Sequence, residues 1–392
     1  MGVKFPQTVN GWLRENGFLP PPGEQAADSV ESDKHENSDI NVGCVDLDTK
    51  IQQLLARFEP GQAVPLARIT GFFHQLLRPA LACQIVIASF DPRVEGKIIV
   101  PRLEVAINRQ KEAGPRAVER GPIDFDRIDA VDPHLADVAD KLGFRTFLAA
   151  SLAERAQSIT LAIFAPDNTV HGTHWLCRLL EDVVDYTEGD TRIPAALCAL
   201  RRAGRLHDRS RVALWTNDTD CLWMVGTVGT VAAMHLHRPN TKDGKPDVVI
   251  DLVKLRASVE RRMGCDYLSW IFWTCLFRNS DYTSTPPGFC SIGNQANPPG
   301  SLVRFDQTAG RLEVNRRHLR SLLFRSANRA IPLDAVAKHL NRLVWSASFY
   351  LLLKPDPHAF GWTNRPFEYK HTDILRLDEA IAADDAGWIT VI

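Results

Sequence analysis

The chain has 392 residues and a formal net charge of −1, with 46 Lys and Arg against 47 Asp and Glu. That balance excludes a global basic field, so any contact with a polyanion must come from local patches. A hydrophobic fraction of 45% is enough to bury a sizeable core, and the length allows two to three domains or one large α/β core with additions.

The eight cysteines form no CxxC pair. Cys44, Cys83, Cys177, Cys198 and Cys275 sit inside apolar runs, which predicts buried, reduced thiols in an intracellular protein. His171, His174 and Cys177 have the spacing HxxHxxC but lack a fourth ligand, so they are not read as a zinc site. No apolar run reaches about 18 residues and no signal peptide opens the chain, so a soluble protein without a membrane partner is expected.

Residues 1–19 read as the start of the core, and 20–39, rich in Pro, Ser, Glu and Asp, as a flexible acidic insert. The run Ile40 to Asp46 predicts a short buried strand ending in an acid. A helix follows from about Thr49, with Ile51, Leu54, Leu55 and Phe58 at helical spacing, and a second over 65–80. Gln84 to Asp91 is another apolar strand ending in an acid, followed by a basic stretch from Arg93 to Arg120. Residues 158–165 predict a third strand, 171–184 and 193–203 helices, and Arg211 to Trp215 a strand running into Thr216-Asn217-Asp218-Thr219-Asp220. Segments 247–253 and 268–277 complete a core spanning 40–295, and 296–392 is expected to be a mostly helical, aromatic extension. Alternating strands and helices predict an α/β fold with a mostly parallel central sheet, whose carboxyl-end edge is where ligands bind.

Seven acids stand at or near strand ends or in acid-x-acid pairs: Asp46, Asp91, Glu188, Asp190, Asp218, Asp220 and Asp281. Alternate residues at a strand end can point two carboxylates to one side. Packing such groups together is costly without cations, because like charges raise one another's pKa. Magnesium or manganese, which take oxygen ligands, would remove that cost. A single acid-x-acid pair is more often a solvated turn, and one acid after a strand is often a helix N-cap. The ordered set of seven is harder to obtain by chance.

The ordered words resemble the flap endonuclease/XPG and XRN 5′-nucleases, which share a PIN-like core. The opening Met1-Gly2-Val3 resembles their start. Val42-Gly43-Cys44-Val45-Asp46 resembles the first strand with its metal-site Asp. Ile87 to Asp91 resembles the V-F-D-G strand end, with Pro92 in place of the glycine. Glu188-Gly189-Asp190-Thr191-Arg192-Ile193 is similar to the XRN word E-G-E-H-K-I, with Asp190 for the second Glu. Asp218-Thr219-Asp220-Cys221-Leu222 resembles D-x-D-C-L, and Asn279-Ser280-Asp281-Tyr282 resembles G-S-D-Y. Gly264-Cys265-Asp266-Tyr267 competes for that last motif; Asp281 is preferred because an apolar helix precedes it, while Asp266 is read as a helix start.

The resemblance covers about residues 1–290 and implies a two-metal nuclease using Mg²⁺ or Mn²⁺ on DNA or RNA, in the nucleus or cytoplasm. By that likeness Asp218, Asp220 and Asp281 hold one ion, Asp91 and Asp190 the other, Glu188 bridges or orients, and Asp46 acts through water. The likeness also implies phosphate contacts after the second strand, where Lys97, Arg102, Arg109 and Lys111 stand. A second basic strip, Arg311, Arg316, Arg317, Arg320, Arg325 and Arg329, is read as one helix flank. After Asp281 the glycine-rich hairpin that grips duplex DNA in flap endonucleases is degenerate, Thr283 to Phe289 with Ser291-Ile292-Gly293. Two rivals stay open: an RNA endonuclease of the same core, of the kind some large viruses direct at transcripts, and a catalytically inactive PIN-like scaffold. No protein partner is indicated.

Overall fold

The computed structural model describes residues 41–47, 71, 77, 80–90, 149–150, 152–154, 159–184, 189–216, 218, 221–238, 248–267, 270, 303–306, 311–315 and 388–390. The chain divides into two units, Trp12–Val253 and Met1–Gly11 with Lys254–Ile392.

The first unit is built on a seven-stranded sheet. Its strands are β1 (Val42–Asp46), β2 (Ile85–Ser89), β3 (Thr160–Phe164), β4 (Val170–Gly172), β5 (Arg211–Trp215), β6 (Ala233–Arg238) and β7 (Val248–Asp251), in the spatial order β4-β3-β2-β1-β5-β6-β7. The five central strands are parallel, and β4 and β7 close the two edges antiparallel. The expected α/β fold with a mostly parallel sheet is therefore the observed one. Four helices are described: α1 (His174–Leu179), α2 (Gly189–Arg202), α3 (Cys221–Met224) and α4 (Leu252–Met263). No helix among the described residues is long and apolar enough to cross a membrane.

Central parallel strands are covered on both faces and so read as nearly continuous apolar runs. All five residues of β1 are buried, as are the last four of β2, β3 and β5. Helix α2 packs against β1 and β2, and Ile193, Ala195, Ala196, Leu197 and Leu200 of that helix are all buried. The predicted strand over 211–215 is observed to the residue, and the other early strands are shorter than their apolar runs. The expected helix over 171–184 divides: Val170–Gly172 is a strand, and α1 spans only His174–Leu179. The cause is Gly172, whose φ of +137° breaks the helical pattern, and whose missing Cβ would stand 2.0 Å from the Leu161 carbonyl oxygen.

Gly43 lies mid-strand where a side chain has no room. A Cβ there would meet Cys83 Sγ at 2.8 Å and Ala80 Cβ and Trp215 Cζ3 at 3.2 Å. Gly43→Val should destabilise the protein by about 1–3 kcal/mol, the usual cost of overpacking a filled core; urea unfolding with an unchanged m-value checks it. Neighbouring thiols fit the same tight packing: burial pushes Cys83 up to about 11 and raises Cys44 as well. Cys177 and Cys198 are only partly buried, less than their apolar surroundings suggested, and Cys275 lies outside the described residues.

Most of 296–392, expected to be a mostly helical extension, lies outside the described residues of the second unit. Three strands, β8 (Val303–Asp306), β9 (Arg311–Asn315) and β10 (Trp388–Thr390), form an antiparallel sheet in the order β10-β9-β8. Their sequences alternate apolar and polar residues, Val303-Arg304-Phe305-Asp306 and Leu312-Glu313-Val314-Asn315. That period of two is a strand signal. Arg311 thus opens a strand, not a helix flank; Arg316, Arg317, Arg320, Arg325 and Arg329 lie outside the described residues.

Candidate metal and nucleic-acid site

The order β2-β1-β5 makes the gap between β1 and β5 a topological switch point, because the chain leaves β1 toward β2 and later returns on its other side. At such points the loops beyond the carboxyl ends part and leave a crevice. Asp46 is the last residue of β1, and Val45 pairs with Trp215, the last residue of β5. Thr216 therefore emerges beside Asp46.

The two are joined. The Thr216 hydroxyl donates to Asp46 Oδ2 at 2.9 Å, and accepts from the Asp218 backbone N–H at 3.0 Å. The Thr216 N–H meanwhile donates to the His237 carbonyl at 3.2 Å, extending the β5–β6 ladder by one step. One threonine thus fixes the Asp46 carboxylate, the start of the Asp218 loop and the end of β5. Asp46 is 6% exposed. Burying a carboxylate is costly unless donors meet it, and the hydroxyl is one such donor.

On the far side of β1, Phe90 follows β2 and its N–H donates to the Phe164 carbonyl at 3.0 Å. Helix α2 begins at Gly189 and Asp190. Pro194, inside that helix, lacks an N–H, so the helix bond from residue 194 to the Asp190 carbonyl is missing. Arg192 is fully buried. Its Nη1 donates to the carbonyls of Phe90 (3.3 Å) and Ala165 (3.1 Å), and its Nη2 to Asn168 Oδ1 (2.5 Å) and the Val184 carbonyl (2.7 Å). The guanidinium carbon stands 5.7 Å from the centre of the Phe164 ring.

Of the seven acids singled out from the sequence, Asp46 and Asp218 have described side chains, and both lie at the switch point. Asp190 is described as backbone, in the first turn of α2. Asp91, Glu188, Asp220 and Asp281 lie outside the described residues or side chains, as do Lys97, Arg102, Arg109 and Lys111. Asp266 directly precedes the helical residue Tyr267, and its carbonyl accepts the Trp270 N–H at 3.1 Å, the helix start expected of it. Among the described residues no group of three or more His, Cys, Asp or Glu side chains converges. The donors that do meet at the β1/β5 edge are carboxylate and hydroxyl oxygens, the chemistry that hard divalent cations take.

Thr216 and Arg192 were not singled out from the sequence. Thr216 carries no sequence signal beyond its place between an apolar strand and an acid. Arg192 does carry one: it is a charged residue directly before an apolar helical run whose members are buried.

No family model and no curated protein matches the chain. Among solved structures, the catalytic core of Rad2 in complex with DNA substrate is similar at 16% identity, with 89% of each chain covered and a TM-score of 0.40. A second Rad2 complex gives 18%, 90% of each chain and 0.39. Human GEN1 in complex with Holliday junction DNA gives 11% identity, 87% of this chain and 68% of that one, and 0.33. TM-scores this low carry no argument about activity.

Proposed function

We propose that the carboxyl-end edge of the seven-stranded sheet is the active site of a metal-dependent nuclease that hydrolyses phosphodiester bonds in DNA or RNA, directed to 5′ ends or flaps. The observation that carries this reading is the Asp46–Thr216–Asp218 chain of hydrogen bonds at the switch point. It supports the reading because the carboxyl-end edge at a switch point is where α/β sheets generally bind ligands. The other five of the seven acids follow from the ordered words of the sequence.

In this reading Asp218, Asp220 and Asp281 would hold one Mg²⁺ or Mn²⁺ and Asp91 and Asp190 a second, with Glu188 bridging or orienting. Bound cations would supply an activated water and charge stabilisation for the leaving oxygen. Asp46, already engaged by Thr216, would orient water rather than bind a cation directly. Lys97, Arg102, Arg109 and Lys111 would grip phosphate oxygens, the arginines with a bidentate fork. An RNA endonuclease of the same core and an inactive scaffold are the competing readings.

The test is incubation of the full chain with Mg²⁺ or Mn²⁺ and four end-labelled substrates: flap DNA, duplex DNA, single-stranded RNA and 5′-phosphorylated RNA. Cleavage that begins at a 5′ end or flap is expected. Internal cuts confined to RNA would favour the endonuclease reading. No cleavage of any substrate, with no metal-dependent rise in Tm, would favour the scaffold.

A further inference from the structure

We infer that Arg192 is a positioning residue of this edge: its guanidinium ties together three stretches of chain, two of which lead on in sequence to Asp91 and Asp190. The inference rests on the nuclease reading of the edge. Four oxygens that it reaches come from the end of β2, the end of β3 with its following turn, and the chain that leads into α2. The Phe90 carbonyl belongs to the peptide bond that enters Asp91. It also accepts from the Ser89 hydroxyl at 3.1 Å, so that peptide is held by two donors. Asp190 lies two residues before Arg192 in the same helix.

The chemistry favours arginine over any other residue here. A buried charge is costly unless every donor finds a partner. A planar fork reaches several fixed carbonyls at once, whereas an ammonium is a compact point charge on a flexible stem. Arginine also keeps its charge at all working pH values. A permanent cation buried next to the acid-bearing segments eases the mutual repulsion of carboxylates while no divalent ion is bound. An apolar side chain of similar volume would fill the space but tie none of these strands.

Two variants separate positioning from bulk stability. Arg192→Lys keeps the charge and loses the fork. Asn168→Gly removes one acceptor at an exposed turn where φ is +64°, a conformation glycine adopts freely, so the fold is preserved even if Arg192→Lys fails to fold. The measurements on the full chain are Mn²⁺ titration by calorimetry, metal-free Tm, and kcat and KM for cleavage of a labelled oligonucleotide. Arg192→Lys should weaken Mn²⁺ binding about 10-fold or more, the scale of outer-shell partners of metal ligands. Asn168→Gly should weaken it about 3-fold, a fraction of one hydrogen bond to a charged group, because the Phe90, Ala165 and Val184 carbonyls still hold the guanidinium. Both should lower kcat at fixed Mn²⁺ while KM for the oligonucleotide stays unchanged. Folded variants that bind Mn²⁺ and turn over like a binding, cleaving wild type would overturn the positioning role alone. A wild type that neither binds Mn²⁺ nor cleaves would sink the nuclease reading, and the inference with it.

Discussion

Replacing Asp218 with Asn is expected to abolish cleavage while leaving the metal-free protein as stable as the wild type, or more so. The backbone bond from Asp218 to Thr216 survives the change, because it uses the main-chain N–H. What is lost is one carboxylate charge. With cations absent, the proposed cluster of acids would repel that charge and so strain the folded state. With cations present the carboxylate would be a ligand under the proposed function, and even outer-shell partners of ligands are worth about 10–100-fold, so the loss in rate should exceed about 100-fold. The stability advantage of the variant should shrink when Mg²⁺ is added, since the wild type gains more binding free energy from the ion. Asp281→Asn should behave alike. Asp266→Asn is the control: the residue starts a helix, and Asn serves that position about as well as Asp. An inactive Asp266→Asn beside an active Asp281→Asn would move the last motif to Asp266.

The second large effect is expected at Thr216. Thr216→Val keeps the shape of the side chain and removes the hydroxyl, so Asp46 loses one donor and the Asp218 N–H loses its acceptor. Hydrogen bonds to charged groups contribute about 1.5–3 kcal/mol, and the loss in unfolding free energy should fall in that range. Cleavage should fall by about 10–100-fold, because both acids lose their common anchor. Thr216→Ser, which restores the hydroxyl, should recover most of both. Urea unfolding and single-turnover rates on the three proteins read this directly. If Thr216→Val unfolds and cleaves like the wild type, the threonine does not hold the edge.

Much of the sheet was legible because central parallel strands are buried on both faces and leave continuous apolar runs. Val42 to Asp46, Ile85 to Ser89 and Arg211 to Trp215 carry that signal plainly. Strand β6 was missed: Ala233-Met234-His235-Leu236-His237-Arg238 alternates with histidines, and only Met234 and Leu236 are fully buried. The His237 ring stacks on Trp215 with centroids 5.0 Å apart, a pairing across strands that no local pattern announces. Helix α4, over Leu252–Met263, was hidden by its charge, since it carries Lys254, Arg256, Glu260, Arg261 and Arg262. In the candidate site, Asp46 and Asp218 were readable from their places after apolar strands. The residue that joins them was not, because its role depends on β1 and β5 being neighbours, a matter of 170 residues of sequence separation. Arg192 was hidden for the same reason: its partners lie up to 102 residues away.

Under the proposed function, the edge where β1 and β5 end would cut phosphodiester bonds with carboxylate-held divalent ions. The most direct measurement is single-turnover cleavage of 5′-phosphorylated RNA and of flap DNA by the wild type and by Asp218→Asn, each with Mg²⁺ and with EDTA. Cleavage by the wild type in Mg²⁺ alone, lost both in EDTA and in the Asp218→Asn protein, is the expected result. Equal cleavage by the two proteins, or cleavage that persists in EDTA, would contradict it.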